Sequence, residues 1–199
     1  RNGSRFVCEV KDSTAITRLI PFEFNITQAY VLEFGNNYIR FLKDNGQITE
    51  TAKTISGITA ANPAVVTATS HGYSNGDDVW IAGVVGMTRL NGRRFTVANK
   101  TTNTFELTDE NSTSYTAWSS GGTASKTYQI TTTYTSAELY DLQFTQSADV
   151  MYIVHPNHPP AKLSRTAHTT WSLDDVAFTN GPYLDTNTTA TTITTSAHT

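Results

Sequence analysis

Closely spaced histidines are one group of residues in this chain that could bind a metal ion. His155 and His158 are separated by two residues, and His168 follows ten residues later. Imidazole nitrogens bind transition metals, but two histidines at this spacing need a helix face or a shaped loop, and the prolines around them exclude a helix. No cysteine or convincingly placed carboxylate accompanies them. We therefore interpret them as turn and surface histidines, and we expect no metal and no other cofactor.

Adjacent acids form a second pattern with catalytic potential. Glycoside hydrolysis needs two carboxylates that face each other across a cleft, whereas neighbouring side chains of a strand point to opposite faces. The chain also lacks a Gly-x-Ser-x-Gly elbow, a phosphate-binding glycine loop and a His-Glu-x-x-His motif. We expect turn acids and no enzyme; a hydrolase would need acids that converge from distant parts of the chain. The adjacent pairs are Asp77-Asp78, Asp109-Glu110 and Asp174-Asp175.

Aromatic side chains give a third possibility, because exposed rings bind sugars. Trp80 and Trp171 lie within apolar strand patterns, and we expect both in a hydrophobic core. Trp118, in the polar stretch TAWSSGG, and the nearby Tyr115 are the candidate glycan contacts.

Composition sets the fold class. The chain has 199 residues, of which 38% are hydrophobic, 11% aromatic and only 16% charged, and threonine is the commonest residue. Threonine, tyrosine, phenylalanine and valine favour pleated sheets, so we predict an all-β protein. The single cysteine, Cys8, excludes an intrachain disulfide, and the absence of an initiating methionine leads us to expect a piece of a longer protein.

Charge argues against nucleic acid as a partner, and hydropathy argues against a membrane span. The net charge is -3, which provides no basic footprint for nucleic acid, and we interpret Arg89, Arg93 and Arg94 as a solvated cluster. No run of 18 apolar residues is present, so we expect no membrane span.

The strand patterns divide into a discontinuous antiparallel β body and an insertion. In the body, alternation predicts a hairpin over 28–34 and 38–43, covered on both faces, and a meander that turns at the proline-rich residues 155–160. The body is sandwich-like or propeller-like, and one short helix is expected over 134–141, capped by Thr135 or Ser136. The predicted body strands are 5–10, 16–24, 28–34, 38–43, 47–53, 126–133, 150–154, 161–165 and 169–176.

The insertion begins where the composition changes at Ser56-Gly57 and ends at a glycine hinge, Gly121-Gly122. Short strands are predicted at 64–69, 78–82, 94–98 and 104–107, separated by glycine or asparagine turns. The domain prediction is a body of residues 1–56 and 123–185, an inserted small β-barrel of residues 57–122, and a threonine-rich tail of residues 186–199.

Two sets of motifs carry resemblances. HGYSNGDD, VWIAGV, GMTRLNG, FTV and NTFEL in the insertion resemble the small β-barrel module named after the FCCH domain of ubiquitin-activating enzymes. RNGSRFV, RLIPFEF and QAYVLEFGNNYIRFLKDNGQI, with QSADVMYIVHPNHPPAKLSR, WSL and GPYLDTNTTATT, resemble tail proteins of tailed bacteriophages. The second set covers residues 1–56 and about 126–195.

The FCCH-like module implies no catalytic chemistry, and similar copies occur as insertions in phage tail proteins. The second resemblance implies a structural virion subunit, most like the nozzle or tail-tubular component, assembled in the bacterial cytoplasm. Its partners would be other copies of itself in a ring and adjacent tail or portal proteins. Arg40 and Arg165 are the candidate subunit contacts, since each charge lies within an apolar strand motif. The alternative is a tail-borne host-surface or carbohydrate-binding module.

Overall fold

The computed structural model describes residues 6–25 and 28–179, which form three antiparallel sheets and two single turns of 3-10 helix. The predicted all-β class is confirmed. The turns of 3-10 helix are Thr88–Leu90 and Ser136–Glu138. The strands within these residues are β1 (Arg18–Asn25), β2 (Gln28–Gly35), β3 (Tyr38–Lys43), β4 (Gly46–Gln47), β5 (Lys53–Thr54), β6 (Gly57–Ile58), β7 (Val65–Thr67), β8 (Asp78–Val85), β9 (Arg93–Ala98), β10 (Thr104–Leu107), β11 (Ser120–Lys126), β12 (Gln129–Thr131), β13 (Gln143–Ser147), β14 (Val150–His155), β15 (His158–Ala167) and β16 (Thr170–Asp175).

The first sheet has the order β1-β2-β3-β12, with β4 paired to β3. Apolar side chains at every second position of β2 and β3 place one face in the core, where Leu32 pairs with Phe41 and both are fully buried. The opposite face is also covered at Glu33 and Arg40, as predicted for this hairpin.

The second sheet is a meander in the order β13-β14-β15-β16. The predicted turn over residues 155–160 is shorter than expected, because β14 runs to His155 and β15 already begins at His158. Pro159 and Pro160 belong to β15, where the pairing with β14 shifts between Ile153 and His155. Proline is tolerated at such an irregularity because a ladder N–H is not required there.

These two sheets pack face to face as a sandwich, since side chains of both enter one hydrophobic cluster. Trp171 lies in that cluster, as predicted. Its ring stacks on Phe41 with centroids 4.3 Å apart and meets Phe22 edge-on at 4.8 Å.

The third sheet is the insertion, in the order β5-β11-β8-β9-β10-β7-β6. Its two outer strands belong to one stretch of chain, residues 53–58, in which Ile55 donates to the carbonyl of Gly122 and Ser56 donates to that of Thr67. The sheet therefore curls around its own core, although no ladder between β5 and β6 closes it in the described residues. The expected small barrel is thus a strongly curved, open sheet.

Several local expectations are corrected. Residues 6–10 form no strand, and Gly121 and Gly122 lie inside β11. The predicted helix over 134–141 is one 3-10 turn at Ser136–Glu138, with Thr135 at its start.

The curved sheet runs from Lys53 to Lys126, a few residues beyond each predicted boundary of the insertion. The division into domains stays a prediction, and the threonine-rich tail at 186–199 lies outside the described residues.

Candidate functional site at the junction of the two β units

The outer face of the first sheet carries buried polar side chains at the point where the insertion leaves the sandwich. Register places Glu33 opposite Arg40 and Gly35 opposite Tyr38, so Glu33, Tyr38 and Arg40 share this face. Glu33 is 1% exposed and Arg40 is 0% exposed. Charged side chains are rarely buried so completely unless they are paired.

Arg40 pairs with Asp78, the first residue of the insertion strand β8. The guanidinium also donates to Gln129 Oε1 at 3.2 Å, while Asp78 accepts from the hydroxyl of Thr96 at 3.1 Å and has Arg94 Nη1 at 3.9 Å. A side chain of the sandwich is thereby held by a side chain of the insertion. Arg40 is fully buried, and its Nη1 has no hydrogen-bond partner within the protein.

Glu33 completes the junction with two hydrogen bonds. Its Oε1 accepts from the backbone N–H of Lys11 at 3.0 Å and from the Tyr38 hydroxyl at 2.8 Å. Burial, together with that hydrogen bond to Glu33, raises the pKa of Tyr38 well above its ordinary value, and burial and the nearby Arg40 charge lower the pKa of Lys11. The tyrosine therefore stays protonated as a donor.

The backbone strengthens the same connection. The N–H of Thr127, which follows β11, donates to the carbonyl of Asp78 at 2.8 Å, and the N–H of Glu50 donates to the carbonyl of Lys126 at 2.8 Å. The two crossings, which are the chain segments that enter the curved sheet near Glu50 and leave it near Lys126, are thus hydrogen-bonded to each other. We interpret this cluster as a fixed joint, because each of its charged groups already has a protein partner.

One signal in the sequence points to this joint. Arg40 sits between Ile39 and Phe41 in a strand whose two faces are both predicted to be covered, and a covered arginine needs an acid. The sequence does not say which acid, and the expectation that Asp78 is a solvated turn residue is wrong, since its side chain is 11% exposed and paired.

The candidate subunit contact Arg40 is buried inside the chain and is not available to a neighbour. Arg165 is also engaged: its guanidinium binds Asp149 Oδ1 at 2.7 Å and lies 4.5 Å above the ring of Phe24. Its side chain is only 9% exposed.

The candidate glycan contacts Tyr115 and Trp118 are both half-buried against the insertion core. The Trp118 indole N–H donates to the carbonyl of Gly121 at 3.0 Å, and the Tyr115 hydroxyl donates to Glu110 at 2.7 Å. The guanidinium of Arg89 covers the Tyr115 ring at 5.0 Å. Trp80, which was expected in a core, is instead 43% exposed because it occupies the outer face of β8.

The arginine cluster of the insertion is mostly neutralised by protein groups. Arg93 makes a bidentate pair with Glu110 at 2.8 and 2.7 Å, and Arg94 donates to the carbonyl of Glu9. Glu110 is 6% exposed and is thus another expected turn acid that proves to be structural.

The three histidines do not converge. His168 Nδ1 is 2.7 Å from the Tyr30 hydroxyl, whereas His155 and His158 lie together near Glu138. Within the part of the chain that the structure describes, Glu138, His155 and His158 are a group whose donor atoms lie close enough together to hold a metal ion.

The structure is an all-β chain in which the strands of a curved sheet, from Lys53 to Lys126, lie in sequence between strands of the sandwich and are joined to it by the Arg40–Asp78 ion pair. The inserted unit is similar to a known family: residues 61–127 match the model for the FCCH domain of ubiquitin-activating enzyme E1. None of the curated proteins compared with the chain matches it. Among the described residues, no helix has the length and apolarity needed to cross a membrane.

Proposed function

We propose that this chain is a structural, non-catalytic subunit of a bacteriophage tail, most like a nozzle or tail-tubular component. Its chemistry would be strand pairing and surface complementarity between copies and with adjacent tail or portal proteins. The motifs in residues 1–56 and 126–195 that resemble tail proteins support this proposal, as does the FCCH-like insertion.

The junction is the observation that carries the proposal. A ring subunit that displays an extra module must hold it at a constant orientation in every copy. Arg40 is fully buried and paired with Asp78, and such a pair favours one arrangement because any other would leave the cation without a partner. Rigid presentation of a module requires no turnover and fits a static assembly.

An apolar groove on the outer face of the first sheet is our candidate for contact with a neighbouring copy. Leu19 is 61% exposed and Val31 is 40% exposed, and both line this groove with Val7 and Leu42. Apolar side chains grouped in this way mark interaction surfaces, whereas scattered ones do not. This groove replaces Arg40 as the proposed subunit contact.

Carbohydrate binding remains the second candidate, and one observation favours it. A pocket beside Tyr115 is bordered by polar side chains of Thr88, Ser114 and Thr116. Arg89 occupies one face of the Tyr115 ring, so a sugar would have to displace the guanidinium before it could stack there. We therefore rank this function below the structural one.

The test is localisation and assembly of this protein. We expect immunogold labelling with antibodies against this chain to mark the tail of the virions that carry it, and electron microscopy of the purified protein to show rings of one copy number. Leu19→Ser with Val31→Ser should reduce ring formation, whereas Val154→Ser, on the second sheet, should not.

Two results would overturn the proposal. One is turnover of capsular polysaccharide or peptidoglycan by the purified chain that is lost on substitution of a single acid. The other is virion labelling that is absent from the tail. Glycan binding that is lost with Tyr115→Ala would support the carbohydrate-binding function instead.

A further inference from the structure

The hairpin of β14 and β15 brings two histidines together at its tip. His155 ends β14, His158 begins β15, and the register pairs them directly across the two-residue turn Pro156-Asn157. Paired residues share one face of a sheet, and the two imidazole centroids are 5.0 Å apart. The hairpin is the shaped loop that two histidines at this spacing need.

A carboxylate from another element completes the group. Glu138, in the turn Ser136–Glu138, places Oε1 at 3.1 Å from His158 Nε2. One donor atom from each of Glu138, His155 and His158 lies within 4.8 Å of the other two. Glu138 is 20 residues from His158, which is why their proximity is not visible in the sequence.

The glutamate is held in place before any ligand arrives. Its Oε2 accepts from the backbone N–H and the hydroxyl of Thr135, at 2.9 and 2.7 Å. Arg18 donates to the carbonyl of Leu139 at 2.8 Å, which ties the same turn to β1. Support of this kind orients the ligands of a metal ion.

His155 adds a buried nitrogen whose hydrogen-bonding capacity no protein group uses. The residue is only 7% exposed, and its Nε2 is buried without a hydrogen-bond partner. Its Nδ1 accepts from the backbone N–H of Asn157 at 3.1 Å, so in the neutral ring Nε2 carries the proton and is the nitrogen without a protein partner. Buried polar atoms without partners are rare in native structures and require an explanation.

We propose that Glu138, His155 and His158 form a binding site for a zinc-type divalent ion. Two imidazoles and one carboxylate are a ligand set that suits Zn²⁺, whereas Mg²⁺ and Ca²⁺ prefer oxygen ligands alone. Metal–ligand bonds of about 2.0–2.2 Å in a tetrahedron put ligand atoms roughly 3.5 Å apart. Closing the group around an ion therefore needs side-chain shifts of about 1 Å, with the fourth position open to water.

The proton balance is simple. The ion takes the place of the proton between His158 Nε2 and Glu138, and the neutral His158 ring keeps its one proton on Nδ1, which then donates to the Thr133 hydroxyl, 3.3 Å away. Binding at His155 Nε2 moves that ring's proton to Nδ1, where it would face the N–H of Asn157, so this hydrogen bond breaks and the ring or the turn must shift to separate the two donors. The three metal–ligand bonds must offset this cost. The bound ion would connect the tip of the β14–β15 hairpin to the Ser136–Glu138 turn, which precedes β13.

The experiment is a Zn²⁺ titration of the full chain, without an affinity tag, followed by calorimetry and by thermal unfolding. We expect one ion per chain with a Kd below about 10 µM, a higher unfolding temperature with Zn²⁺, and no such rise with Mg²⁺. Co²⁺ should give the visible absorption of a tetrahedral site.

Three variants separate the site from other histidines. Glu138→Gln and His158→Gln should each weaken Zn²⁺ binding at least tenfold, while His168→Gln leaves it unchanged. Glu138 and His158 are partly exposed, so these variants should fold, and circular dichroism checks that they do. Stoichiometric binding that survives both substitutions, or a wild-type Kd above about 1 mM, would overturn the proposal.

Discussion

At the residue scale, the junction pair Arg40–Asp78 is unequal in its surroundings. Arg40 is fully buried, whereas Asp78 keeps slight exposure and has Thr96 and Arg94 as further partners. The two partners should therefore respond differently to substitution, because only one of them would be left as an isolated buried charge.

We expect Asp78→Ala to lower the free energy of unfolding by about 3–5 kcal/mol, since it leaves the Arg40 cation buried without its anionic partner. Arg40→Met should cost roughly 1–2 kcal/mol, because the remaining carboxylate keeps its other hydrogen bond and some contact with water. Urea unfolding measures both, and Asp174→Ala, at an exposed position of β16, should change stability by less than about 0.5 kcal/mol. Equal costs for the two junction variants would contradict the asymmetry.

A second prediction concerns how the stability that the Arg93–Glu110 pair provides depends on pH. Burial opposes ionisation of Glu110, but hydrogen bonds from Arg93 and Tyr115 outweigh it and hold the pKa of this carboxyl below its ordinary value of 4.5. A depressed folded-state pKa contributes stability that is present above the unfolded-state pKa and is lost as the pH falls through the folded-state value.

Glu110→Gln should therefore destabilise the chain by about 1 kcal/mol at pH 7, a modest value because Arg93 is partly exposed. The difference from wild type should shrink as the pH falls below about 4.5. Thermal unfolding across pH 3–7 measures it, and in an Arg93→Gln background most of the pH dependence of this difference should disappear. A difference that stays constant with pH would show that protonation of Glu110 is not linked to folding.

At the element scale, the end of β8 depends on a close backbone approach. Gly86 has φ +88°, and a Cβ there would lie 2.1 Å from the carbonyl oxygen of Ala117. Gly76 has nearly the same φ, +86°, but a Cβ would meet nothing within 4 Å. The two glycines thus separate backbone strain from steric overlap.

We predict that Gly76→Ala costs about 1–2 kcal/mol, from the positive φ alone. Gly86→Ala should cost an additional ~1–3 kcal/mol, because the new methyl group forces the segment that leads into β11 away from β8. Chemical denaturation of the two variants tests this, and similar losses at both positions would mean that the approach at Ala117 relaxes freely.

Elements that alternate clearly are those best predicted from the sequence. β3 and β10 begin and end where the alternation predicts, and the meander has its strands near the expected positions. β8 shows why the rest differs: in VWIAGVV both faces are apolar, so periodicity alone does not say whether Trp80 or Val79 points inward. The curvature of the sheet around its own core decides that Val79 is buried and Trp80 exposed.

At the scale of the whole molecule, two separate hydrophobic clusters are joined through a polar junction. Separate cores favour independent unfolding, whereas a buried ion pair and backbone hydrogen bonds across the crossings couple them. The coupling resides mostly in a few residues, so it should be removable without damage to either core.

We expect the wild-type chain to unfold in one calorimetric transition and the Asp78→Ala variant to unfold in two, as the sandwich and the curved sheet lose their common joint. Differential scanning calorimetry distinguishes these cases through the ratio of van't Hoff to calorimetric enthalpy. Arg94→Gln, which removes the more distant partner of Asp78 and a hydrogen bond to the carbonyl of Glu9, serves as the control and should keep a single transition. A single transition in Asp78→Ala would place the coupling in the backbone crossings instead.

The sequence by itself determined the all-β class and the burial of Trp171, because composition and alternation act locally along the chain. The FCCH-like module is predicted from the resemblance of its motifs, and the family match over residues 61–127 supports it. Tertiary structure alone decided that Arg40 meets Asp78 and that Glu138 stands beside His158. Alternation tells which face of its own strand a side chain occupies. What lies opposite that face depends on how sheets distant in sequence pack together, and this is the level at which the junction and the histidine site arise.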